Sequence, residues 1–391
     1  MKQGWKEETL GEIGKVSMCK RILKKQTNDI SGIPFYKIGT FGKRPNAFIS
    51  EEIYNEFKEK YSFPKKGDIL LSASGTIGRR VIYDGKPAYF QDSNIVWIDN
   101  DEKKVLNEYL YVFYGFCNWN PSKGTTISRL YNDDLRRIPI PIPPIEEQKQ
   151  IVEILDKTFE SIEQAKVNIE KNIENAKELF QSRLNEIFSQ KGDGWEEKKL
   201  GKVCKTGAGG TPLKSKKEYY ENGNIPWLCS GEVKQGNIYS SNKFITQKGL
   251  DNSSAKLFPK DTVVIAMYGA TAGDVGILRF ETSTNQAVCG ILPNDILIPE
   301  FIYYSFSYRK NELIAQATGN AQPNISQIKI KNTLIPILEK KEQLKIIEEL
   351  DSLKEQTKQL ENHYKQKLKN LEELKKSILQ KAFSGELLND S

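Results

Sequence analysis

Apolar residues recur at helical spacing in two long stretches of the chain, and no glycine or proline interrupts either one. The mean step between apolar positions is about 3.6 residues in both, which is the period of an α-helix. Prolines stand before each stretch, at 143, 144 and 336, so we expect the helices to begin after them. The first stripe comprises Ile151, Leu155, Phe159, Ile162, Ala165, Ile169, Ile173, Ala176, Phe180, Leu184 and Ile187, and the second Ile346, Leu350, Leu353, Thr357, Leu360, Tyr364, Leu368, Leu371, Leu374 and Ile378.

A helix with a narrow apolar stripe has to bury it against another long helix. The simplest partner is the matching helix of the same chain, and pairing between two copies of the chain is the alternative. A helix of ~40 residues is ~60 Å long. Antiparallel pairing would place one module at each end of a rod, and the two modules would be related by a pseudo-twofold axis.

The remaining two regions, 1–144 and 192–338, have a different pattern, rich in Gly, Pro and β-forming residues. Short apolar runs predict buried strands, and longer aromatic runs predict helices. We therefore expect mixed α/β modules at 1–144 and 192–338, each followed by a long helix, at 145–191 and 339–391. The predicted strands are Ile69–Leu71, Ile95–Ile98, Val263–Ile265 and Ala287–Ile291, and the predicted aromatic helices are Glu108–Phe116 and Glu300–Tyr308.

The two module-plus-helix segments are copies of one another. Residues 124–156 align with 319–351 at an offset of 195 without a gap, and ten of these 33 positions are identical. Gly4-Trp5 and Phe63-Pro64-Lys65 recur as Gly194-Trp195 and Phe258-Pro259-Lys260, in the same order. A period this long is typical of duplicated domains and not of a solenoid.

The excess of positive charge lies in the two modules. The chain has a net charge of +7, and residues 1–144 carry 23 Lys and Arg against 17 Asp and Glu. Residues 192–338 carry 17 against 13, while the helical stretches are acidic or neutral. Two basic blocks indicate two contacts with a polyanion such as nucleic acid, and an ordinary charged surface is the alternative.

Several features narrow the cellular setting. The five cysteines have no metal-ligand spacing, and their odd number fits a reducing, cytoplasmic environment. The first residues lack the apolar stretch of a signal peptide, and no apolar run has the ~20 residues that a membrane span requires. We expect a cytoplasmic protein that binds no metal.

Motifs for catalysis are missing from the sequence. There is no P-loop, and the one Asn-Pro dipeptide, Asn120-Pro121, continues as Ser122-Lys123 and not as an amino-methyltransferase motif. The single histidine, His363, lies beside the apolar stripe of the second helix, where a surface or seam role is expected. The sequence therefore predicts a subunit without catalytic residues of its own.

Two pairs of polar segments at equivalent positions are candidates for binding DNA. A glycine-rich turn follows a predicted strand in each copy, at Ser72–Arg80 and Met267–Gly273, and a second polar stretch occurs at Gly124–Arg129 and Gly319–Ser326. Small residues allow close backbone approach, and hydroxyl, amide and guanidinium groups donate to phosphates or base edges. Tight turns and capping loops are the alternatives. The candidates are Ser74, Thr76, Arg79, Arg80, Thr125, Ser128, Arg129, Tyr268, Thr271, Gln322, Asn324 and Gln327.

Four motifs carry a family resemblance that covers the whole chain. They are Gly223–Trp227, Gly319–Ser326, Ile140–Gln148 and Leu379–Leu387. Their order resembles that of the specificity (S) subunit of type I restriction–modification systems. The first copy departs from the pattern, because Thr125-Thr126-Ile127 replaces the Ala-Gln-Pro-Asn of the second.

The resemblance implies two target-recognition domains separated by an antiparallel pair of long helices. Each domain would recognise one half of an interrupted, asymmetric site in double-stranded DNA. Two modification subunits with S-adenosylmethionine would methylate the DNA, and restriction subunits with ATP and Mg²⁺ would translocate and cut it. Contacts between helices or with partner subunits are expected at Glu147, Gln148, Ile151, Leu155, Phe159, Glu342, Gln343, Ile346, Leu350 and Phe383.

Two alternatives stay open. One is the specificity subunit of a type IIB-like system, in which a single partner both cuts and methylates. The other is a coiled-coil scaffold whose modules bind protein.

Overall fold

The computed structural model describes residues 2–119, 129–190, 195–317 and 324–388, without the side chains at 234 and 235. The chain forms two compact units, each with its own core. Unit 1 comprises Met1–Ile169 and Gln366–Ser391, and unit 2 comprises Glu170–Lys365. Each unit thus contains one module together with parts of both long helices. No helix in the described part is long and apolar enough to cross a membrane.

Unit 1 contains two sheets and a separate two-stranded ribbon. The ribbon pairs β1 with β9, the four-stranded antiparallel sheet has the order β2-β8-β5-β6, and the three-stranded sheet has the order β4-β3-β7 with β3 and β7 parallel. The strands are β1 (Lys6–Thr9), β2 (Gly14–Ser17), β3 (Ile33–Tyr36), β4 (Phe48–Ile49), β5 (Ile69–Ser72), β6 (Arg80–Ile82), β7 (Tyr89–Phe90), β8 (Ile95–Asn100) and β9 (Pro139–Ile142). The helices are α1 (Leu10–Ile13), α2 (Glu51–Lys60), α3 (Asn107–Tyr114) and α4 (Asn132–Arg136), followed by the long α5 (Ile145–Ser189), which continues into unit 2.

Unit 2 repeats this arrangement. Its ribbon pairs β10 with β20, and its sheets have the orders β11-β19-β16-β17-β13 and β14-β12-β18-β15. The strands are β10 (Glu196–Lys199), β11 (Thr206–Ala208), β12 (Ile225–Leu228), β13 (Asn237–Ile238), β14 (Phe244–Ile245), β15 (Leu257–Phe258), β16 (Val263–Ala266), β17 (Val275–Leu278), β18 (Thr282–Thr284), β19 (Val288–Ile291) and β20 (Leu334–Ile337). The helices are α6 (Leu200–Val203), α7 (Gln247–Asp251), α8 (Pro299–Tyr308), α9 (Lys310–Ala315), α10 (Gln327–Asn332) and the long α11 (Lys340–Ser384), whose last part belongs to unit 1.

The predicted mixed α/β fold class is confirmed, and so are its main elements. Strands β5, β8, β16 and β19 occupy the stretches predicted as short buried strands, and all are buried apart from Asp99 near the end of β8. Their apolar runs are continuous because both faces of each strand are covered. Helices α3 and α8 match the predicted aromatic helices to within two residues at each end.

The two long helices pack against each other within unit 1. Lys375 lies 3.6 Å from Glu163, and Lys166 lies 3.6 Å from Glu372, so α5 and α11 run in opposite directions there. In unit 2, Arg183 of α5 pairs with Glu349 of α11. The stripe of α5 is at least partly buried throughout, but two predicted stripe positions of α11 are exposed, Leu360 and Leu374. Because a helix that packs on one neighbour buries only a narrow seam, residues at the flank of the stripe stay in solvent.

All five cysteines have reduced thiols in protected surroundings. Three are buried and two are half-buried. Burial raises the thiol pKa of Cys19, Cys117 and Cys289 to about 12 and that of Cys204 to about 11. Burial also raises the pKa of Cys229.

Candidate nucleic-acid interface

In unit 1, the glycine-rich turn and the second polar stretch lie side by side. Ser74 and Arg129 form an isolated antiparallel bridge, and the Leu130 amide donates to the Ala73 carbonyl at 2.9 Å. Ser74 and Arg129 are 55 positions apart in the sequence. The fold thus brings together two segments that were selected separately as candidates.

Unit 2 builds the same contact with different side chains. Tyr268 and Asn324 form the bridge, and the Ile325 amide donates to the Met267 carbonyl at 2.8 Å. Both positions lie 194 to 195 residues after their counterparts in unit 1. We call each bridged pair of segments a paired turn: 72–80 with 129–130 in unit 1, and 266–273 with 324–325 in unit 2.

Glycines in both paired turns adopt a backbone conformation that other residues rarely take. The φ angles are +66° at Gly75 and +80° at Gly78, and +77° at Gly269 and +82° at Gly273. The Gly78 amide donates to the Ser72 carbonyl at 3.0 Å, and the Gly273 amide donates to the Ala266 carbonyl at 2.9 Å. The glycines are therefore required by the turn itself, and any contact with DNA comes in addition.

Most candidate side chains of unit 1 lie around this turn. The Ser74 hydroxyl donates to Asn94 Oδ1 at 2.6 Å, and Thr76 is exposed. Arg129 Nη2 donates to the Ser93 carbonyl at 3.2 Å, and its guanidinium carbon lies 5.8 Å from the centre of the Tyr131 ring. Thr125 and Ser128 lie outside the described residues.

Arg79 and Arg80 are both held by their own domain. Arg79 Nη1 donates to the Phe41 carbonyl at 2.9 Å. The Arg80 guanidinium lies 4.4 Å from the Tyr111 ring, and its buried Nε has no hydrogen-bond partner among the described residues. These contacts direct both side chains onto the fold, and their contact with DNA stays a prediction.

The candidates of unit 2 are spread over a wider surface. Tyr268 and Asn324 are exposed, and Thr271 ends a short 3₁₀ turn, where it is half-buried. Gln327, at the start of α10, donates from Nε2 to Thr206 Oγ1 at 2.9 Å. Gln322 lies outside the described residues. Tyr268 and Asn324 are thus the exposed polar pair of this paired turn.

Gln148 and Gln343 have the same buried position in the two copies. Gln148 Oε1 accepts from the Leu106 amide at 2.8 Å, and its Nε2 donates to the carbonyls of Lys104 and Pro143 at 2.8 and 2.9 Å. Gln343 repeats all three bonds with Ile298, Ile296 and Leu338 at 2.8 to 2.9 Å. Both side chains are fully buried. They therefore join the start of a long helix to the preceding module and present no surface to a partner subunit.

The other residues expected at helix or partner contacts differ in how deeply they are buried. Ile151, Leu155, Leu350 and Phe383 lie in the cores of the units, and Phe159 and Ile346 pack on their edges. Glu147 accepts hydrogen bonds from Trp5 and Lys2, whereas Glu342 is exposed and pairs with Lys345.

A pair of aromatic contacts was missed at the ends of the long helices. Phe383 stacks on Phe116 with ring centres 5.0 Å apart, and Phe188 stacks on Tyr308 at 5.7 Å, both with an interplanar angle of 20°. The available signal was the repeated Leu-x-x-x-Phe at Leu184 and Leu379, 195 residues apart. Each long helix therefore ends on the aromatic helix of a module, α5 on α8 and α11 on α3.

A basic pocket beside each paired turn was also missed. In unit 1 it has a volume of about 320 Å³, and in unit 2 about 520 Å³. The basic lining residues are Arg21, Lys24, Lys37 and Arg129 in the first, and Lys214, Lys217 and Lys243 in the second. Apart from Arg129 these residues come from loops without a repeated motif, so the sequence carried no signal for them.

Comparison with known proteins agrees with this duplicated architecture. A family model described as the type I restriction modification DNA specificity domain matches residues 2–175 and again 192–370. The chain belongs to this family. Both copies of the module, each with part of its long helix, are covered by the two matches.

Curated type I specificity subunits are similar over part or most of the chain. A putative one from Haemophilus influenzae is 65% identical over 153 residues, which cover 39% of this chain and 40% of that protein. The EcoR124I/EcoR124II subunit of Escherichia coli is 29% identical over 88% of this chain and 85% of its own. A putative one from Methanocaldococcus jannaschii is 27% identical over 94% and 92%.

Two solved structures share the fold of this specificity subunit. The HsdS subunit from Thermoanaerobacter tengcongensis has a TM-score of 0.63 at 20% identity, with 98% of both chains covered. A chain from a study of complex assembly and conformational transition of the type I R-M system has a TM-score of 0.77 at 20% identity, with 99% of both covered. The family model and the curated relatives support a type I specificity subunit over the type IIB-like and scaffold alternatives.

Proposed function

We propose that this specificity subunit selects the DNA sequence on which partner subunits act, with each unit recognising one half of a bipartite, asymmetric site. The observation that carries the proposal is the duplicated paired turn. The same backbone hydrogen bonds hold Ser74 and Arg129 in unit 1, and Tyr268 and Asn324 in unit 2. Equivalent frames with different donors and acceptors are suited to recognise two different base sequences.

The chemistry would reside in the partners. Two modification subunits would bind S-adenosylmethionine and methylate the selected DNA, and restriction subunits would use ATP and Mg²⁺ to translocate and cut it. The description of the family as a type I restriction modification DNA specificity domain supports this division of work. In the described part of the chain, no three His, Cys, Asp or Glu side chains come together in a group that could hold a metal ion.

The test is to co-express the chain with its modification subunit in a host that lacks other methyltransferases, and to sequence modified bases across the genome. We expect one motif with two short specified parts and a gap of fixed length. The modification subunit alone is the control, and it should produce no motif. Methylation by the complex without sequence preference would contradict the proposal.

A further inference from the structure

The two basic pockets occupy the same place in the fold. Phe35 of β3 lines the first and Trp227 of β12 the second, and these residues pair with β7 and β18 in the same parallel register. The next segment is also equivalent, because the Gln91 amide donates to the Tyr36 carbonyl and the Asn285 amide to the Leu228 carbonyl, both at 2.9 Å. The pockets are therefore a duplicated feature, although their sequences differ.

The first pocket includes Arg129 of its paired turn, and the second lies beside a segment that is hydrogen-bonded to its paired turn. The Ala73 amide donates to the Asn94 carbonyl at 2.8 Å in unit 1, and the Met267 amide donates to the Ala287 carbonyl at 2.7 Å in unit 2. Asn94 itself lines the first pocket, and Asn285 and Gln286, just before Ala287, line the second. A ligand in the first pocket would thus lie next to Arg129, whereas one in the second would be separated from Tyr268 by the backbone contact between Met267 and Ala287.

The acidic group in each pocket is already neutralised. Asp92 pairs with Arg21 at 2.8 Å, and Glu221 pairs with Lys217 at 3.9 Å. Two exposed lysines remain in each pocket, Lys24 and Lys37 in unit 1 and Lys214 and Lys243 in unit 2. Across the part of the chain that the structure describes, none of the four has an ion pair with a carboxylate. Like charges that share a concave wall attract an anion.

Neutral polar groups complete both pockets. Side-chain hydroxyls and amides line them, from Thr27, Gln91, Ser93 and Asn94 in unit 1 and from Thr211, Asn285 and Gln286 in unit 2. A phosphate group offers several acceptor oxygens and forms strong hydrogen bonds with charged donors. Lysine binds it as a point charge and needs no bidentate geometry.

We infer that each pocket binds a backbone phosphate of the DNA, held by Lys24 and Lys37 in unit 1 and by Lys214 and Lys243 in unit 2. This inference rests on the proposed function and adds a positioning site to each unit. Phosphate contacts fix the register of a protein on DNA without selecting the sequence. The neighbouring paired turn is then set against the base edges.

The experiment measures how DNA binding by the full chain depends on salt. Lys24→Ala, Lys37→Ala, Lys214→Ala and Lys243→Ala are compared with the unaltered chain on a mixed-sequence duplex, between about 50 and 200 mM salt. The slope of log K against log salt concentration is negative, and each lost phosphate contact reduces its magnitude by about 0.9. We expect this full decrease when both lysines of one pocket are replaced by alanine, a smaller decrease for each single substitution to alanine, and an unchanged slope for Lys24→Arg.

Neighbouring lysines provide matched controls. Lys25 is exposed beside Lys24, and Lys216 Nζ lies 5.3 Å from the centre of the Tyr219 ring. Neither lysine lines either of the two basic pockets. Lys25→Ala and Lys216→Ala should keep the slope. All six positions are on the surface, so thermal unfolding should be unchanged.

The outcomes separate this inference from the proposed function. An unchanged slope in the pocket variants would overturn the inference, and so would an equal decrease in the control variants. In either case, a methylated motif would still support the proposed function. If the magnitude of the slope decreases only in the pocket variants and the methylation experiment shows no motif, phosphate binding in the pockets would be supported and sequence selection would be contradicted.

Discussion

Glu147 and Glu342 occupy the same position of the repeat, but among the residues that the structure describes only Glu147 is held by its own module. Glu147 accepts hydrogen bonds from Trp5 Nε1 at 3.0 Å and Lys2 Nζ at 3.1 Å. The Trp5 bond, followed by the Lys2 bond, lowers the pKa of this carboxyl below its ordinary value of 4.5. Glu342 is exposed and pairs with Lys345 three residues later. The charge of Glu147 therefore stabilises the module–helix junction of unit 1.

Glu147→Gln should lower the free energy of unfolding by about 1 kcal/mol at pH 7, because a charged acceptor is lost. A carboxyl with a lowered pKa stabilises the fold above its unfolded pKa, and this stability is lost as pH falls through the folded value. The difference in stability between the unaltered chain and Glu147→Gln should therefore shrink as pH falls below 4.5 and through the lowered pKa of Glu147. Urea unfolding of both proteins at several pH values measures this difference in the free energy of unfolding.

Glu342→Gln is the matched control and should change stability at pH 7 by less than about 0.5 kcal/mol. A difference for Glu147→Gln that persists at low pH would contradict the role of its charge.

The buried glutamines Gln148 and Gln343 also join a long helix to its module. Gln343→Met keeps the approximate size of the side chain but leaves the Ile298 amide and two carbonyls without their partner. Each buried group left unpaired costs about 1–3 kcal/mol. We expect a loss of about 3 kcal/mol in chemical denaturation.

Gln359→Met, on an exposed position of the same helix where the amide bonds only to Glu355, should cost less than about 0.5 kcal/mol. Similar losses for the two substitutions would show that helix propensity, and not the buried amide, accounts for the effect.

At the scale of elements, the ends of the long helices depend on aromatic contacts with a module. Phe383 lies within 5.0 to 5.5 Å of the ring centres of Tyr109, Phe113 and Phe116. In unit 2, Phe188 has the equivalent contacts with Phe301 and Tyr308. The seam between two helices is narrow, so these terminal side chains contribute much of the burial that holds each helix end.

Phe383→Ala should lower stability by about 3–5 kcal/mol, the usual cost of removing a buried phenyl ring. Denaturant unfolding followed by tyrosine and tryptophan fluorescence measures it. Leu374→Ala, also in the part of α11 that belongs to unit 1 but 47% exposed, is the control with a small expected effect. Equal effects of the two would contradict a special role for the helix end.

Elements that depend on local pattern could be predicted from the sequence, and sites made by distant residues could not. Helical periodicity was sufficient for α5 and α11, and apolar runs were sufficient for β5 and β16. The paired turns were found as separate segments, because a β-bridge such as Ser74 to Arg129 has no local signal. Lys24 and Lys37, or Lys214 and Lys243, come together only after the strands pair, so the pockets required the fold.

At the scale of the whole molecule, each unit has its own core and its own paired turn. Substitutions in one turn should therefore act on one half of the recognised site. Because distant sites without shared partners behave independently, a change in unit 2 should leave the contacts of unit 1 intact.

Asn324→Ala removes an exposed amide beside Tyr268. We expect relaxed sequence preference in one half of the methylated motif, with about 1–3 kcal/mol of discrimination lost and the other half unchanged. Sequencing of modified bases measures both halves at once. Thr76→Ala in unit 1 is the reciprocal variant and should affect the other half. Relaxation of both halves by a single substitution would contradict independent recognition.

The protected cysteines make the chain suited to site-selective labelling. With their pKa values raised by burial, the native thiols carry very little thiolate at neutral pH. An exposed cysteine introduced by Lys25→Cys would have an ordinary pKa near 8.5 and about a tenth of its thiol ionised at pH 7.5. A maleimide dye would react there first, without removal of any native cysteine. Its fluorescence would report when DNA reaches the surface next to the first pocket.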